Sequence, residues 1–538
     1  MTDPHTTNPV PYEAAGASPG HMSVVIVGAG FAGLGTAIRL LQEGHRDLLI
    51  LERADEVGGT WRDNAYPGCA CDVPSRLYSF SFAPNPTWSR RFAPQKEIEQ
   101  YLKHCVDQYG LTPRLRLGCE LQRATWNPER LRWDLDTSTG PLSAGLLVMA
   151  QGPLSEPAIP SLPGLEGFTG EAFHSAGWKH DVDLSAKRVG VIGTGASAVQ
   201  FIPHLQRTAQ QVTVFQRTPS WIAPRRDRPV PAWQRHLFQL APSVQRLARG
   251  WEYMTREATL PALLGNRTMA ALGRREALAH LHRQVKDPGL RSKLTPDYAL
   301  GCKRVLLSDN YYPALVQPNV RLVTDPIASV GPNTVLTTPR SGAQAAPGAA
   351  SAGTTHPVDV LIFGTGFRVT DASYARRVIG GDGRSLHEVW QGSPQAHLGT
   401  TVAGFPNLFL MAGPNTGVGH TSLIHMIESQ INYLVSTLQL MRSRGLGSVD
   451  VRAETQHAYN AELQNRMTPT VWAAGGCSGW YQDRTGRVTT IWPASTWQFR
   501  RRTRAIDPDE YALTTPCVTP DQFNSEGSGS VGEAQPGS

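Results

Sequence analysis

At 538 residues the chain is too long for one hydrophobic core, so two or three domains are expected. A composition of 40% hydrophobic and 18% charged residues suits a soluble globular protein, and a formal charge of +7 with no long basic run gives nucleic acid no footprint. The N-terminus lacks an apolar signal core and no apolar run is long enough to span a bilayer, which predicts a cytoplasmic protein without integral membrane contact.

Seven cysteines (Cys69, Cys71, Cys105, Cys119, Cys302, Cys477 and Cys517) show no metal-ligand spacing and read as reduced thiols, so no metal is expected. Residues 1–22 are polar and Pro-rich, the composition of a disordered leader. The run Ser23–Val27 then reads as a buried parallel strand that enters Gly28-Ala-Gly30-Phe-Ala-Gly33 and a helix closed by Gly44. A second strand ends in Glu52. The glycines permit a tight turn and close approach of backbone N–H groups to a pyrophosphate, and the acid can bind ribose hydroxyls. The stretch Gly58–Asp72, GGTWRDNAYPGCACD, follows directly. A helix over 94–109 and strands up to Gly152 complete this unit, and prolines 153, 157, 160 and 163 mark a linker.

After FTGEAFHSAGW at 168–178, Lys187–Ile192 reads as a strand entering Gly193-Thr194-Gly195-Ala-Ser197-Ala198 and a helix; the next strand ends at Arg217. A carboxylate at this position repels a ribose 2′-phosphate, whereas a guanidinium binds it through charge-assisted hydrogen bonds. The first unit therefore suits FAD and the second NADPH. From Pro231 to Ala299 the pattern is helical, and Leu237, Leu240, Val244, Leu247, Trp251 and Met254 form one stripe, expected to be core. Gly301-Cys-Lys303-Arg304 precedes a Tyr-Tyr-Pro turn at 311–313. Residues 341–355 read as a mobile loop, Asp359–Phe367 as a strand returning to the first unit, and 407–415 as a strand meeting a turn before a long helix.

The expected fold is α/β, with two Rossmann-like dinucleotide-binding domains and a helical insertion. The FAD domain takes residues 23–153 and 366–518, the NADPH domain 154–222 and 300–365, the insertion 223–299, and a disordered tail 519–538.

Two motifs carry a family resemblance. Phe168, Gly170, His174 and Trp178 match Phe-x-Gly-x3-His-x3-Trp, and Gly58–Asp72 matches Gly-Gly-x-Trp-x4-Tyr-Pro-Gly-x3-Asp. Together, in this order between the two nucleotide fingerprints, they resemble type I Baeyer–Villiger monooxygenases over roughly residues 23–505. Lys179 and Gln151 depart from the usual residues beside these motifs. Flavin N- and S-monooxygenases, the nearest alternative, usually lack Trp178 and the Trp61…Asp72 set. Disulfide reductases would need a Cys-x4-Cys, and Cys69-Ala-Cys71 reads instead as packed thiols. A non-catalytic redox sensor binding NADPH and FAD is the alternative of another class.

The resemblance implies NADPH- and O2-dependent conversion of a small-molecule ketone to an ester or lactone through a flavin C4a-peroxide. It implies FAD contacts from Gly28, Gly30, Gly33, Glu52, Gly59, Thr60, Trp61, Asp72, Tyr78 and Asn415. NADPH contacts would come from Thr194, Gly195, Ser197, Ala198, Gln200, Arg217, Thr218, Lys303 and Trp480. Arg304, held by Asp72, would stabilise the anionic peroxide, and His174 and Trp178 would couple nucleotide binding to domain movement.

Overall fold

The computed structural model describes residues 20–339, 353–371 and 373–516. Residues 1–19 of the expected leader, the tail 519–538, Cys517 and most of the 341–355 stretch lie outside the described residues. Regular structure begins at His21, inside the segment read as leader, because the first strand, His21–Val27, extends two residues further back than its apolar run.

Two sheets organise the chain. The first has eight strands, and its centre is parallel: Gly140–Met149, His21–Val27 and Leu48–Leu51 lie side by side, with Leu408–Leu410 on the far edge of Gly140–Met149. Its antiparallel wing is Leu121–Asn127, Arg132–Thr137 and Gly140–Met149. Val24, Val25, Ile26 and Val27 are all buried, as a continuous apolar run requires when helices cover both faces. The second sheet is five-stranded and all-parallel, in the order Val320–Val323, Gln211–Phe215, Arg188–Ile192, Val360–Phe363 and Glu171–His174.

Each fingerprint turns from a strand into a helix, Phe31–Gln42 in the first sheet and Ala196–Thr208 in the second. A Cβ on Gly33 would collide with the Gly28 carbonyl oxygen, so only glycine lets this helix pack so closely on its strand. The chain crosses between sheets twice, and the crossings are tied to each other: Ala158 N–H donates to Gly366 O at 2.8 Å, and Thr365 Oγ1 donates to Ala158 O at 2.6 Å.

Between the second sheet's strands lies a group of helices, including Ala232–Leu240, Pro242–Glu257 and Arg267–Gln284. The expected 311–313 turn is instead the short helix Tyr311–Leu315, with both tyrosines buried. The apolar stripe is not core. Leu240, Leu247, Trp251 and Met254 are 71%, 75%, 75% and 62% exposed, and Leu237 and Val244 are each 37% exposed. Helix 242–257 docks through its polar face. Gln245 donates to Asn85 O at 2.7 Å, Arg249 to Ser79 O at 3.0 Å, Glu252 pairs with Arg91 at 3.2 Å, and the Tyr253 and Thr496 hydroxyls lie 2.9 Å apart. Periodicity defines an apolar face; it does not say which way that face points.

The same junction buries His425, whose ring meets Tyr253 edge-on at 5.0 Å. Burial, then Arg249, lower its pKa to about 3, with Arg500 and His420 acting the same way and Glu257 opposing. The unfolded chain takes up a proton below the ordinary histidine value and the folded chain does not, so stability falls as pH drops from about 6.5 toward 3. Asp450, pushed up to about 6 by burial, acts with opposite sign but is common to any variant elsewhere. His425→Gln is expected to lose about 2 kcal/mol less than wild type between about pH 6.5 and 5. Denaturant titrations at the two pH values check this; identical losses refute it.

Candidate active site between the two sheets

Backbone that leaves the C-terminal ends of strands in both sheets lines a single cavity of about 1440 Å³, at Met149, Gln151, Ile192, Gly193, Phe215, Gly364 and Met411. The carboxyl ends of parallel strands are where open α/β sheets bind ligands. This volume exceeds the roughly 300–1,000 Å³ of a pocket for one small ligand, so more than one group can be held.

Arg304 and Asp72 meet in the cavity wall. Arg304 Nε donates to Asp72 Oδ2 at 2.6 Å and Nη2 to Oδ1 at 2.7 Å. Both side chains keep about a quarter of their surface, 27% and 28%, and both line the cavity. Burial alone would push the Asp72 carboxyl up, but the Arg304 charge and hydrogen bonds outweigh it and hold it below the usual carboxylate range. Attraction to Asp72, against the cost of burial, raises Arg304 in turn, so its charge is permanent. Tyr481, which the sequence reading missed, lies beside the same guanidinium; burial pushes its phenol up to about 12, with Arg304 opposing. Its only sequence signal is its place next to Trp480.

The loop carrying Asp72 is bound to both sheets. Trp61 Nε1 donates to Tyr78 Oη at 3.0 Å, and Thr60, Trp61 and Tyr78 line the cavity on the first-sheet side. Tyr66 donates to Gln200 Oε1 at 3.0 Å, and Gln200 Nε2 donates to Ala70 O at 2.9 Å, fixing the loop to helix 196–208. Gly68, at φ +79°, lies so close that a Cβ would come within 2.5 Å of His204 Nε2 and 2.9 Å of Gln200 O. Trp178 packs on Phe201, Phe173 and Tyr66. His174 Nδ1 accepts from Ala176 N–H at 3.1 Å while its ring meets Phe367 in the returning crossing at 5.5 Å. Burial lowers its pKa, with the Gly366 backbone opposing. Phe168 packs beside the second sheet's core and Gly170 against the Asp359 carbonyl, both away from the cavity wall.

Both fingerprint helices begin at glycine, Gly30 and Gly195, with no side-chain cap, so their first N–H groups are available to a phosphate. Gly59 caps the short helix Thr60–Asp63 and approaches Gly30. The buried Glu52 carboxylate accepts from Ala29 N–H at 2.9 Å and Ala54 N–H at 3.1 Å and pairs with Arg62 at 3.1 Å. Thr194, Gly195, Ser197, Gln200, Arg217, Thr218, Lys303 and Trp480 all line the cavity. Burial, then Arg217, lower the Lys303 pKa, against Asp297, so two cations crowd one region. Seven expected contacts are absent from the cavity wall: Gly28, Gly30, Gly33, Glu52, Gly59, Ala198 and Asn415. Ala198 is fully buried against Gly364, so it packs helix on strand as Gly33 does. Asn415 is buried with its amide donating to Val488 O and Ile491 O, both at 2.9 Å, and is absent from the cavity wall.

The cysteines are not all reduced. Cys302 and Cys477, 175 residues apart, form a disulfide that joins the Lys303–Arg304 segment to the loop bearing Trp480 and Tyr481. Cys69, Cys71, Cys105 and Cys119 are free and buried. Burial pushes Cys69 up to about 12, which makes it a packed thiol rather than a redox centre. Among the described residues no cluster of His, Cys, Asp and Glu could hold a metal ion.

Two sheets, each carrying a dinucleotide fingerprint, meet at one cavity, the layout of a two-dinucleotide oxidoreductase, and residues 25–239 match the family model described as pyridine nucleotide-disulphide oxidoreductase. A Baeyer–Villiger monooxygenase of Streptomyces coelicolor is 48% identical over 92% of this chain and 93% of its own. One of Pseudomonas aeruginosa is 46% identical over 95% and 94%. The crystal structure of cyclohexanone monooxygenase from Rhodococcus bound to NADP+ superimposes with a TM-score of 0.80, at 27% identity over 93% of this chain and all of that one. The chain belongs to the Baeyer–Villiger monooxygenase family. It is a flavoprotein monooxygenase of the Baeyer–Villiger type, using FAD and NADPH.

The disulfide holds the Trp480 loop against the Lys303 segment. Reduction, or Cys477→Ser, is expected to lower the thermal midpoint by several degrees, because a long closed loop is released, and to raise KM for NADPH. Thermal ramps with and without dithiothreitol, with NADPH titrations, check this; a bridge without consequence would change neither.

Proposed function

We propose that the inter-sheet cavity oxidises a ketone to an ester or lactone, with one oxygen atom from O2 inserted beside the carbonyl and the other leaving as water. NADPH and one proton are consumed. In this reading residues 23–153 with 366–518 bind FAD, 154–222 with 300–365 bind NADPH, and 223–299 form the helical insertion. The uncapped helix N-termini support this division, because each can receive a pyrophosphate. FAD supplies the activation of dioxygen when bound, and NADPH the electrons.

The protein's part is electrostatic. Arg304 stabilises negative charge that develops in the cavity. A unit negative charge about 4 Å from a guanidinium gains roughly 4 kcal/mol at an effective dielectric near 20, about three pKa units of bias toward an anion. Asp72 aims the guanidinium and moderates its charge, and Tyr481 lies beside it. Lysine at position 304 could lose its proton on burial, whereas arginine keeps it. Lys303, Arg217 and Thr218 receive the 2′-phosphate: an anion there offsets the burial and the Arg217 charge that together lower the Lys303 pKa. His174 and Trp178 are positioning residues that tie nucleotide binding to the crossing at Phe367 and to the Asp72 loop. We place the enzyme in the cytoplasm, where NADPH is supplied. Among the described residues no helix is long and apolar enough to cross a membrane, and the Cys302–Cys477 bridge removes reduced thiols as an argument for that location.

The observation that carries this reading is the Arg304–Asp72 pair in the wall of the cavity between the two sheets. Incubation with NADPH, 18O2 and a panel of ketones tests it: ester carrying one labelled atom is expected, and sulfoxide formation without ester overturns it. Arg304→Ala is expected to reduce its flavin with NADPH yet form ester at least about a hundredfold more slowly; near-normal ester formation refutes its role. Arg217→Ala is expected to raise KM for NADPH about tenfold while leaving KM for NADH nearly unchanged, and equal effects on both would assign the 2′-phosphate elsewhere.

A further inference from the structure

The insertion is an amphipathic element turned inside out. Helices 232–240 and 242–257 send Gln245, Arg249, Glu252 and Tyr253 inward and leave Leu240, Leu247, Trp251 and Met254 on the surface, with Trp233 68% exposed at the start of the stripe. At its end, Met254 opens onto a groove lined by Leu264, Asn266 and Trp497, and Asn266 caps helix 267–284, where Leu272 is 62% exposed. A contiguous apolar surface of this kind marks an interaction site rather than scattered surface residues.

Charge identifies the occupant. Residues 223–299 hold 14 arginines and lysines against six acids, a net +8, so the other 461 residues together carry −1 of the chain's +7. Arg246 is exposed within the stripe, and Arg267, Arg274 and Arg275 are exposed on helix 267–284. A second copy meeting this face would bring two such charges together. A nucleic acid would match the charge and leave the tryptophans and leucines unused. Apolar Trp and Leu flanked by arginine match the boundary between headgroups and acyl chains of an anionic bilayer.

We propose that the exposed stripe of helices 232–240 and 242–257 docks the enzyme peripherally on anionic lipid membranes, the side chains of Leu240, Leu247 and Trp251 entering the headgroup boundary and the insertion's arginines meeting lipid phosphates. The docking is peripheral: among the described residues no helix is long and apolar enough to cross the bilayer. Substrates that partition into lipid reach the enzyme at their own source, and this docking does not depend on which residues perform the oxidation.

Co-sedimentation of the FAD-loaded, full-length enzyme with vesicles of phosphatidylcholine alone, or with one-third phosphatidylglycerol, tests it. Binding to the anionic vesicles that weakens at high salt is expected, with little binding to phosphatidylcholine alone. The double variant Leu247→Glu/Trp251→Glu is expected to lower binding at least about fivefold, with thermal midpoint and turnover of a water-soluble ketone unchanged. Arg274→Glu/Arg275→Glu, which leaves the stripe intact, is expected to lower it too. Failure of the wild type to sediment, or equal sedimentation of wild type and variants, overturns the proposal. So does a dimer, seen by light scattering, that Leu247→Glu/Trp251→Glu dissociates, because the face then belongs to a second copy.

Discussion

The arrangement of the site rests on one ion pair. Asp72 comes from the loop after the first fingerprint and Arg304 from the segment after the helical insertion, 232 residues further along the chain. Neither charge could sit alone in a cavity wall without a desolvation cost of several kcal/mol, and the two-point hydrogen bond offsets that cost only in one relative geometry. Every contact that places the Asp72 loop against the second unit therefore also sets the direction of the guanidinium. The carboxylate takes Nε and Nη2, so the remaining edge of the guanidinium is what Tyr481 and any ligand can meet.

The contacts that hold this geometry come from the residues packed around the loop. Gly68 lets the loop lie on helix 196–208, Gln200 bonds both Tyr66 and the Ala70 backbone, and Trp178 fills the space beneath Tyr66. His174 in turn reaches Phe367, in the crossing that pairs with the outgoing linker at Ala158. A signature that looks like two separate motifs in sequence is thus one packed patch. The Asp72 loop and the second unit are therefore joined by side chains packed against one another, with no gap between them for either to shift alone.

Much of this was legible because it is local. A buried strand, a glycine turn and a helix are set by neighbouring residues, so both fingerprints and the parallel strands around them could be read with small boundary errors. The roles of Asp72 and Arg304 could be expected only through motif resemblance, since nothing between them in the chain predicts that they meet. The Cys302–Cys477 bridge has no signal at all: its partners are 175 residues apart, and spacing carries information only for metal sites and short redox motifs. Asn415 reads as a ligand because it follows a strand in a Gly/Asn-rich turn; its φ is +55° and its side-chain amide is spent on Val488 O and Ile491 O, bonds that the sequence does not signal. The stripe failed for a different reason. Helical periodicity is blind to sign, and an apolar face is assigned to the core only by assuming that the polar face meets water.

Consecutive cations make the division of labour concrete. Lys303 and Arg304 are adjacent, yet Arg304 is matched by a protein carboxylate at 2.6 Å while Lys303 stands over the Tyr298 ring at 5.1 Å with Arg217 acting against its charge. A cation paired inside the protein is fixed in place and keeps its charge whatever binds. A cation that burial and a like charge disfavour gains when an anion arrives. The first property fixes a charge in the cavity wall; the second leaves a charge that an anionic ligand would stabilise. The disulfide beside them ties the Trp480 loop to the segment that carries both, and Lys303, Arg304 and Trp480 all line the cavity.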